Sequence, residues 1–334
     1  MSLRIILVLG TLVLAGPAGA AAAESDGAGT ADVTLTSPAS AEDSEAVVEA
    51  EVEVAAEVEA KVEVVEADRV PDTTPEVPGS MTESEAAKPE AKPTVWVPTE
   101  VGKRWTYVYV RERTRDNGDG EPVVETLRGT RIDEITALAP EFGKNVVRVQ
   151  SNLEGRQAAG AAPSTEERVG FLRYTGTSYQ LVAEQTTDPA SGIVSLVQYD
   201  VPLSLLESGA QPGQRWKVGV RSQGGLHTDL EGEVLGAQDV QTPLGLFEHC
   251  LVIRLTGQIS GIVEAYGSRM EVPSGDFTLT EWYAPGVGLV LAKEQRTQTL
   301  VFEDGTRVEY SERTQFALRS TDSALAAVPA ADDN

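Results

Sequence analysis

Four residues, Gly102-Lys103-Arg104-Trp105, return as Gly213-Gln214-Arg215-Trp216. Glycine ahead of a large aromatic residue is how a turn hands over to a strand, so the repeat marks two equivalent strand starts. Three more matches follow in the same order: 127–132 with 230–235, Val146-Val147-Arg148-Val149 with Val252-Ile253-Arg254-Leu255, and Glu184-Gln185 with Glu294-Gln295. Matches at nearly one spacing predict two tandem units, 95–200 and 201–318, followed by a disordered tail at 319–334.

Each unit reads as β. After the first turn, Trp105, Tyr107 and Tyr109 share one face of a strand, with Thr106, Val108 and Val110 on the other. In the second copy Trp216, Val218 and Val220 alternate with Lys217, Gly219 and Arg221, the pattern of a half-buried strand. Further strands are expected at 193–199, 259–266, 276–283, 296–302 and 307–316. Asp116-Asn117-Gly118-Asp119-Gly120 and Glu303-Asp304-Gly305-Thr306 carry hairpin-turn residues. Pro285-Gly286 suits the centre of a type II turn, and Thr242-Pro243-Leu244-Gly245 marks another. The best helical candidate is short, Leu203-Ser204-Leu205-Leu206-Glu207, stopped by Gly209 and Pro212. The expected fold is all-β, an antiparallel curved sheet or half-barrel built from two tandem units with few or short helices.

What precedes residue 95 has a different character. Residues 1–22 combine Arg4, an apolar run and a small-residue stretch, the three regions of a cleavable signal peptide. No cysteine follows the apolar run, so lipidation is not expected, and no later segment is apolar enough to span a bilayer. A secreted or periplasmic location follows. Residues 23–94 are rich in Ala, Glu, Val and Pro and lack aromatic residues, a composition that cannot offset its ordering entropy and predicts a disordered acidic tether. With 19 acidic against 4 basic residues from Glu24 to Thr94, and a net charge of -25 overall, the chain repels phosphate, so neither nucleic acid nor an anionic lipid headgroup is expected as a partner.

Catalytic chemistry is thinly represented. The single cysteine, Cys250, rules out an internal disulfide and sits among apolar residues, as a buried small side chain would. The two histidines, His227 and His249, belong to no zinc motif, and His249 and Cys250, as neighbours on a strand, point to opposite faces. The acidic 116–120 stretch lacks the ligand spacing of a calcium loop. There is no nucleophile elbow, phosphate loop or dinucleotide fingerprint. No metal, cofactor or catalytic set is expected.

Three segments together carry a family resemblance: Pro212-Gly213-Gln214-Arg215-Trp216, then Pro243-Leu244-Gly245-Leu246-Phe247-Glu248-His249-Cys250, then Glu281-Trp282-Tyr283-Ala284-Pro285-Gly286-Val287-Gly288-Leu289-Val290. In that order they resemble the TapB-like family of exported bacterial proteins, over residues 210–300. The first unit keeps Gly-x-x-Trp but lacks the other two motifs. The resemblance implies a β-rich envelope protein, more distantly related to LolA-like half-barrel carriers, with no agreed catalytic residues.

The expected function is that of a non-catalytic envelope or surface protein binding an envelope or extracellular protein or an apolar, lipid-like ligand. Its candidate contacts are Arg104, Trp105, Arg215, Trp216, Trp282 and Tyr283. Alternation separates Trp282 from Glu281 and Tyr283 and assigns it to the core. Two other classes stay open: a secreted hydrolase using paired carboxylates on a glycan, and a purely structural surface protein.

Overall fold

A computed structural model describes residues 95–322, apart from 119, 158–160, 175–177, 188–193, 208, 210, 224, 266 and 267. The signal peptide and the acidic tether expected at 1–22 and 23–94 lie outside the described residues, as does the tail from 323 on. β12 runs to Thr321, three residues past the unit boundary expected at 318.

Twelve antiparallel strands form one nearly closed, barrel-shaped sheet. The first six are β1 (Arg104–Asp116), β2 (Val123–Leu138), β3 (Val146–Arg156), β4 (Ser164–Tyr174), β5 (Ser178–Thr187) and β6 (Val194–Glu207). The second six are β7 (Arg215–Gln223), β8 (Leu226–Thr242), β9 (Gly245–Ala265), β10 (Ser268–Ala284), β11 (Gly288–Phe302) and β12 (Arg307–Thr321). One 3₁₀ turn, Pro140–Phe142, completes the described structure. Each strand pairs with its neighbours in sequence, with two exceptions: β1 is laddered to β12, and β6 and β7 end the hydrogen-bonded order.

The matched sequence segments fall on β1 and β7, β2 and β8, β3 and β9, and β5 and β11. Their entry turns are built alike. Gly102 N–H donates to the Ile135 carbonyl and Ile135 N–H to that of Lys103; Gly213 N–H donates to Val234 and Val234 N–H to Gln214. Both glycines have positive φ, 92° and 81°, which a residue with a Cβ adopts only under strain. The two junctions between the halves nevertheless differ. At β1/β12 the backbones pair from Trp105–Thr321 to Asp116–Glu309. At β6/β7 side chains do the joining.

Among the contacts that cross that seam, three stand out. Trp216 Nε1 on β7 donates to the Ser204 carbonyl on β6 at 2.8 Å. Gly219, at φ 135°, lets β7 approach so closely that a Cβ there would stand 2.7 Å from Leu203 Cδ2. Further along, Arg221 donates from Nε and Nη2 to Glu184 of β5 at 3.0 and 2.5 Å, and Tyr199 of β6 donates to the same carboxylate. The side chains of Arg221 and Glu184 are 2% and 0% exposed.

The seam departs from the strand patterns expected there. A register shift between Lys217 and Gly219 reverses the alternation in β7, so Arg221 faces inward while Val220 is 47% exposed. A one-residue bulge moves every later side chain to the other face. The segment expected as a helix, Leu203 to Glu207, is the end of β6, and the expected unit boundary at 201 falls inside that strand. Four residues, Tyr199 to Pro202, oppose the single Val182 of β5, leaving Val201 76% exposed. Pro202 is tolerated because β6 has no ladder on its other side.

The turns follow expectation. Val287 N–H closes on the Ala284 carbonyl around Pro285 and Gly286, the latter at φ 73°. Gly118 N–H is held by Asp116 Oδ1 in the first hairpin, and Thr306 N–H by Asp304 Oδ1 in the last. Cys250 is fully buried, and burial pushes its thiol up to about 12. That leaves it a core residue rather than a nucleophile.

Candidate functional site

The inner face of β1 begins with Trp105, Tyr107 and Tyr109, all buried. Tyr109 packs its ring against Phe316 of β12, centroids 5.8 Å apart. Where the aromatic row meets β2, β4, β5, β10 and β11 it lines a partly open cavity of about 220 Å³. Its walls are mainly apolar, including Trp105, Tyr107, Tyr179, Tyr283, Leu279 and Phe316. Val97 and Pro98, from the segment that enters β1, also line it. That segment is pinned to the β10–β11 turn by the Gly286 N–H on the Val95 carbonyl, 2.8 Å. Trp105 Nε1 ties the same turn down through the Val287 carbonyl at 2.7 Å.

Polar groups in the wall are largely committed. Tyr107 Oη donates to the Leu289 carbonyl at 3.2 Å. Arg131 forks onto Asp133, Nε to Oδ1 and Nη2 to Oδ2 at 2.8 Å each, and lies over the Phe316 ring at 4.9 Å from its centroid. Such a bidentate, stacked arginine behaves as wall rather than as a free charge. Arg168 is held by Glu166.

Two carboxyls face the cavity with less support. Glu281 accepts from Tyr283 Oη at 2.9 Å, and burial raises it above the usual carboxylate range against the opposing pull of Tyr283 and Arg131. Burial pushes Glu294 up to about 7, with Arg296 pulling the other way. For Glu294 the folded protein therefore holds a proton that the unfolded chain, near 4.5, has released. Wherever the folded state binds more protons, stability falls as pH rises, so this group's contribution is full below pH 4.5 and is lost between 4.5 and 7. Glu294→Gln is expected to remove that slope. In urea titrations at several pH values, the variant's stability relative to the native protein should grow from pH 4.5 to 7; a constant difference would contradict the assignment.

Of the residues expected to make contacts, the structure brings Trp105 and Tyr283 to the cavity. Arg104 and Arg215 lie on the outer surface, Arg215 paired with Glu233 at 3.0 Å and 74% exposed. Trp216 is half-buried at the seam. Trp282 is buried on the opposite face from its neighbours Glu281 and Tyr283, as alternation predicted, with its indole N–H on Gln238 at 3.1 Å. Tyr107, Arg131, Arg168, Glu281 and Glu294 were not anticipated. Alternation from Trp105 and from Tyr283 would have found Tyr107 and Glu281; the others come together only through strand order.

Among the described residues no cluster of three His, Cys, Asp or Glu side chains is placed to hold a metal, and no helix is long and apolar enough to cross a membrane.

No protein-family model and no curated protein matches the chain. Among solved structures it is similar to a candidate exported protein with a YmcC-like fold from Bacteroides fragilis, at 14% identity over 68% of this chain and 99% of that one, with a TM-score of 0.27. It is likewise similar to a candidate lipoprotein from Parabacteroides distasonis, at 12% identity over 69% and 100% of the two chains, with a TM-score of 0.28.

Proposed function

We propose that the protein is a non-catalytic envelope protein that holds an apolar ligand inside its sheet, exported by the leader at 1–22 and tethered by the acidic segment at 23–94. The observation that carries this reading is the aromatic-walled cavity at the Trp105 end. At about 220 Å³ it exceeds the roughly 150 Å³ apolar cavity that takes up benzene. The resemblance of residues 210–300 to TapB-like exported proteins belongs to the same reading, as does a secreted or periplasmic location.

The hydrolase alternative has one point in its favour. Glu281 pairs with Ala292 and Leu279 with Glu294, so the two carboxyl residues are diagonal neighbours on the cavity wall. Acid–base work on a glycosidic bond needs environments that keep one carboxyl protonated and its partner ionised. Burial moves both of these in the same direction. A purely structural role leaves the cavity without a use.

The neutral fluorophore N-phenyl-1-naphthylamine tests the reading. Its emission should rise saturably on mixing with the folded protein. Gly170→Leu should abolish that rise: Gly170 lines the cavity, and a Cβ there meets nothing nearer than 3.7 Å, so a side chain can enter the space without disturbing the wall. No saturable binding, or equal binding by a folded Gly170→Leu variant, would remove the proposal.

A further inference from the structure

Beyond the apolar wall the inner face turns charged. Tyr109, Phe316 and Ala292 form one row across β1, β12 and β11. Arg111, Thr314 and Glu294 form the next, and Arg113, Glu312 and Arg296 the one after. With Arg168 and Glu166 of β4 these rows gather four arginines against three carboxyl groups, in a protein whose overall charge is strongly negative. Five of those seven groups are buried, and Glu166 and Arg113 are 11% and 12% exposed. A cationic excess withdrawn from water is costly unless an anion meets it.

The excess has a specific location. Arg111 is 3% exposed, and its Nε and Nη2 have no hydrogen-bond acceptor. Its carboxylate neighbours stand at 3.7 Å, from Nη1 to Glu166, and 3.9 Å, from Nε to Glu312. Thr314, directly opposite, is also 3% exposed with its Oγ1 unpartnered. Neither residue lines the cavity itself; both sit in the register row of Glu294, which lines its polar end together with Arg168 and Phe316.

We propose that the ligand is an amphiphile with an anionic head, a carboxylate or a phosphate monoester, whose oxygens accept hydrogen bonds from Arg111 Nη2 and Thr314 Oγ1 while its alkyl chain lies along Phe316, Tyr107 and Trp105. The inference rests on the carrier reading and adds the polarity and orientation of the ligand. Charge-assisted hydrogen bonds of this kind are about twice as strong as neutral ones.

Calorimetric titration of the full chain at pH 7 with octanoate, octyl phosphate, octanol and octylamine separates the possibilities. One or both anions should bind about tenfold tighter than octanol, and octylamine most weakly. The better of the two anions identifies the head. Thr314→Val should weaken the anion several-fold and leave octanol unchanged; Arg111→Met should weaken it by at least tenfold. Octanol binding as tightly as the anions, or octylamine more tightly, would overturn the anionic assignment while leaving the carrier reading intact. If the fluorophore and all four alkyl compounds fail to bind, both fall.

Discussion

Replacing Arg221 with alanine should lower stability by about 3–5 kcal/mol, the cost of stranding one partner of a buried ion pair. Glu184, left behind, has no exposed surface, and its remaining partner is the Tyr199 hydroxyl. In a domain of this size such a loss lowers the melting temperature by roughly 10 °C. Glu184→Ala should cost a similar amount through the stranded guanidinium. The double change Arg221→Met with Glu184→Leu should cost less than either single one, because apolar residues of like volume replace buried pairs at little penalty. Urea titration of the four proteins checks this. Additive losses would mean that the pair does not act as a unit across the seam.

The second large effect concerns Trp105. It is 6% exposed, spans the cavity wall, and holds the β10–β11 turn through Val287. Trp105→Ala should cost about 3–5 kcal/mol, the range for a buried aromatic residue, and should release that turn from the cavity mouth. Trp216 is its sequence counterpart but is less completely buried. Its truncation should cost less, in proportion to the smaller apolar area it removes from water. Equal losses in chemical denaturation would show that burial does not distinguish the two positions energetically.

That contrast shows how far the sequence could be read. The Gly-x-Arg-Trp segments announced two turns that proved to share the same hydrogen bonds, and the all-β antiparallel sheet followed from alternation and turn residues. Alternation failed at the β7 bulge, since nothing in Trp216 to Arg221 announces that Gly219 takes a positive φ and turns Arg221 inward. It misread Leu203 to Glu207, where clustered leucines resemble a helical turn but meet β5 as a strand. The charged rows were partly legible: Arg111 and Arg113 continue the face of Trp105, Tyr107 and Tyr109 at period two. Their partners Glu166, Glu294 and Glu312 come from strands more than fifty residues away, and only the sheet order assembles them. Glu281 is likewise remote in sequence from Trp105, with which it shares the cavity wall.

The lone ladder between non-consecutive strands has a consequence for how the chain reaches this structure. All other ladders join strands that follow one another, so two six-stranded meanders can zip up hairpin by hairpin. The closing contact brings Thr321 to Arg104 across 217 positions. Loop-closure entropy for that step is repaid only once both meanders exist, which makes the docking of β12 on β1 the late and slow event in folding. Until then the aromatic face of β1 is without one of its walls, and the order of assembly, more than the stability of the finished sheet, governs how long that face stays open to water.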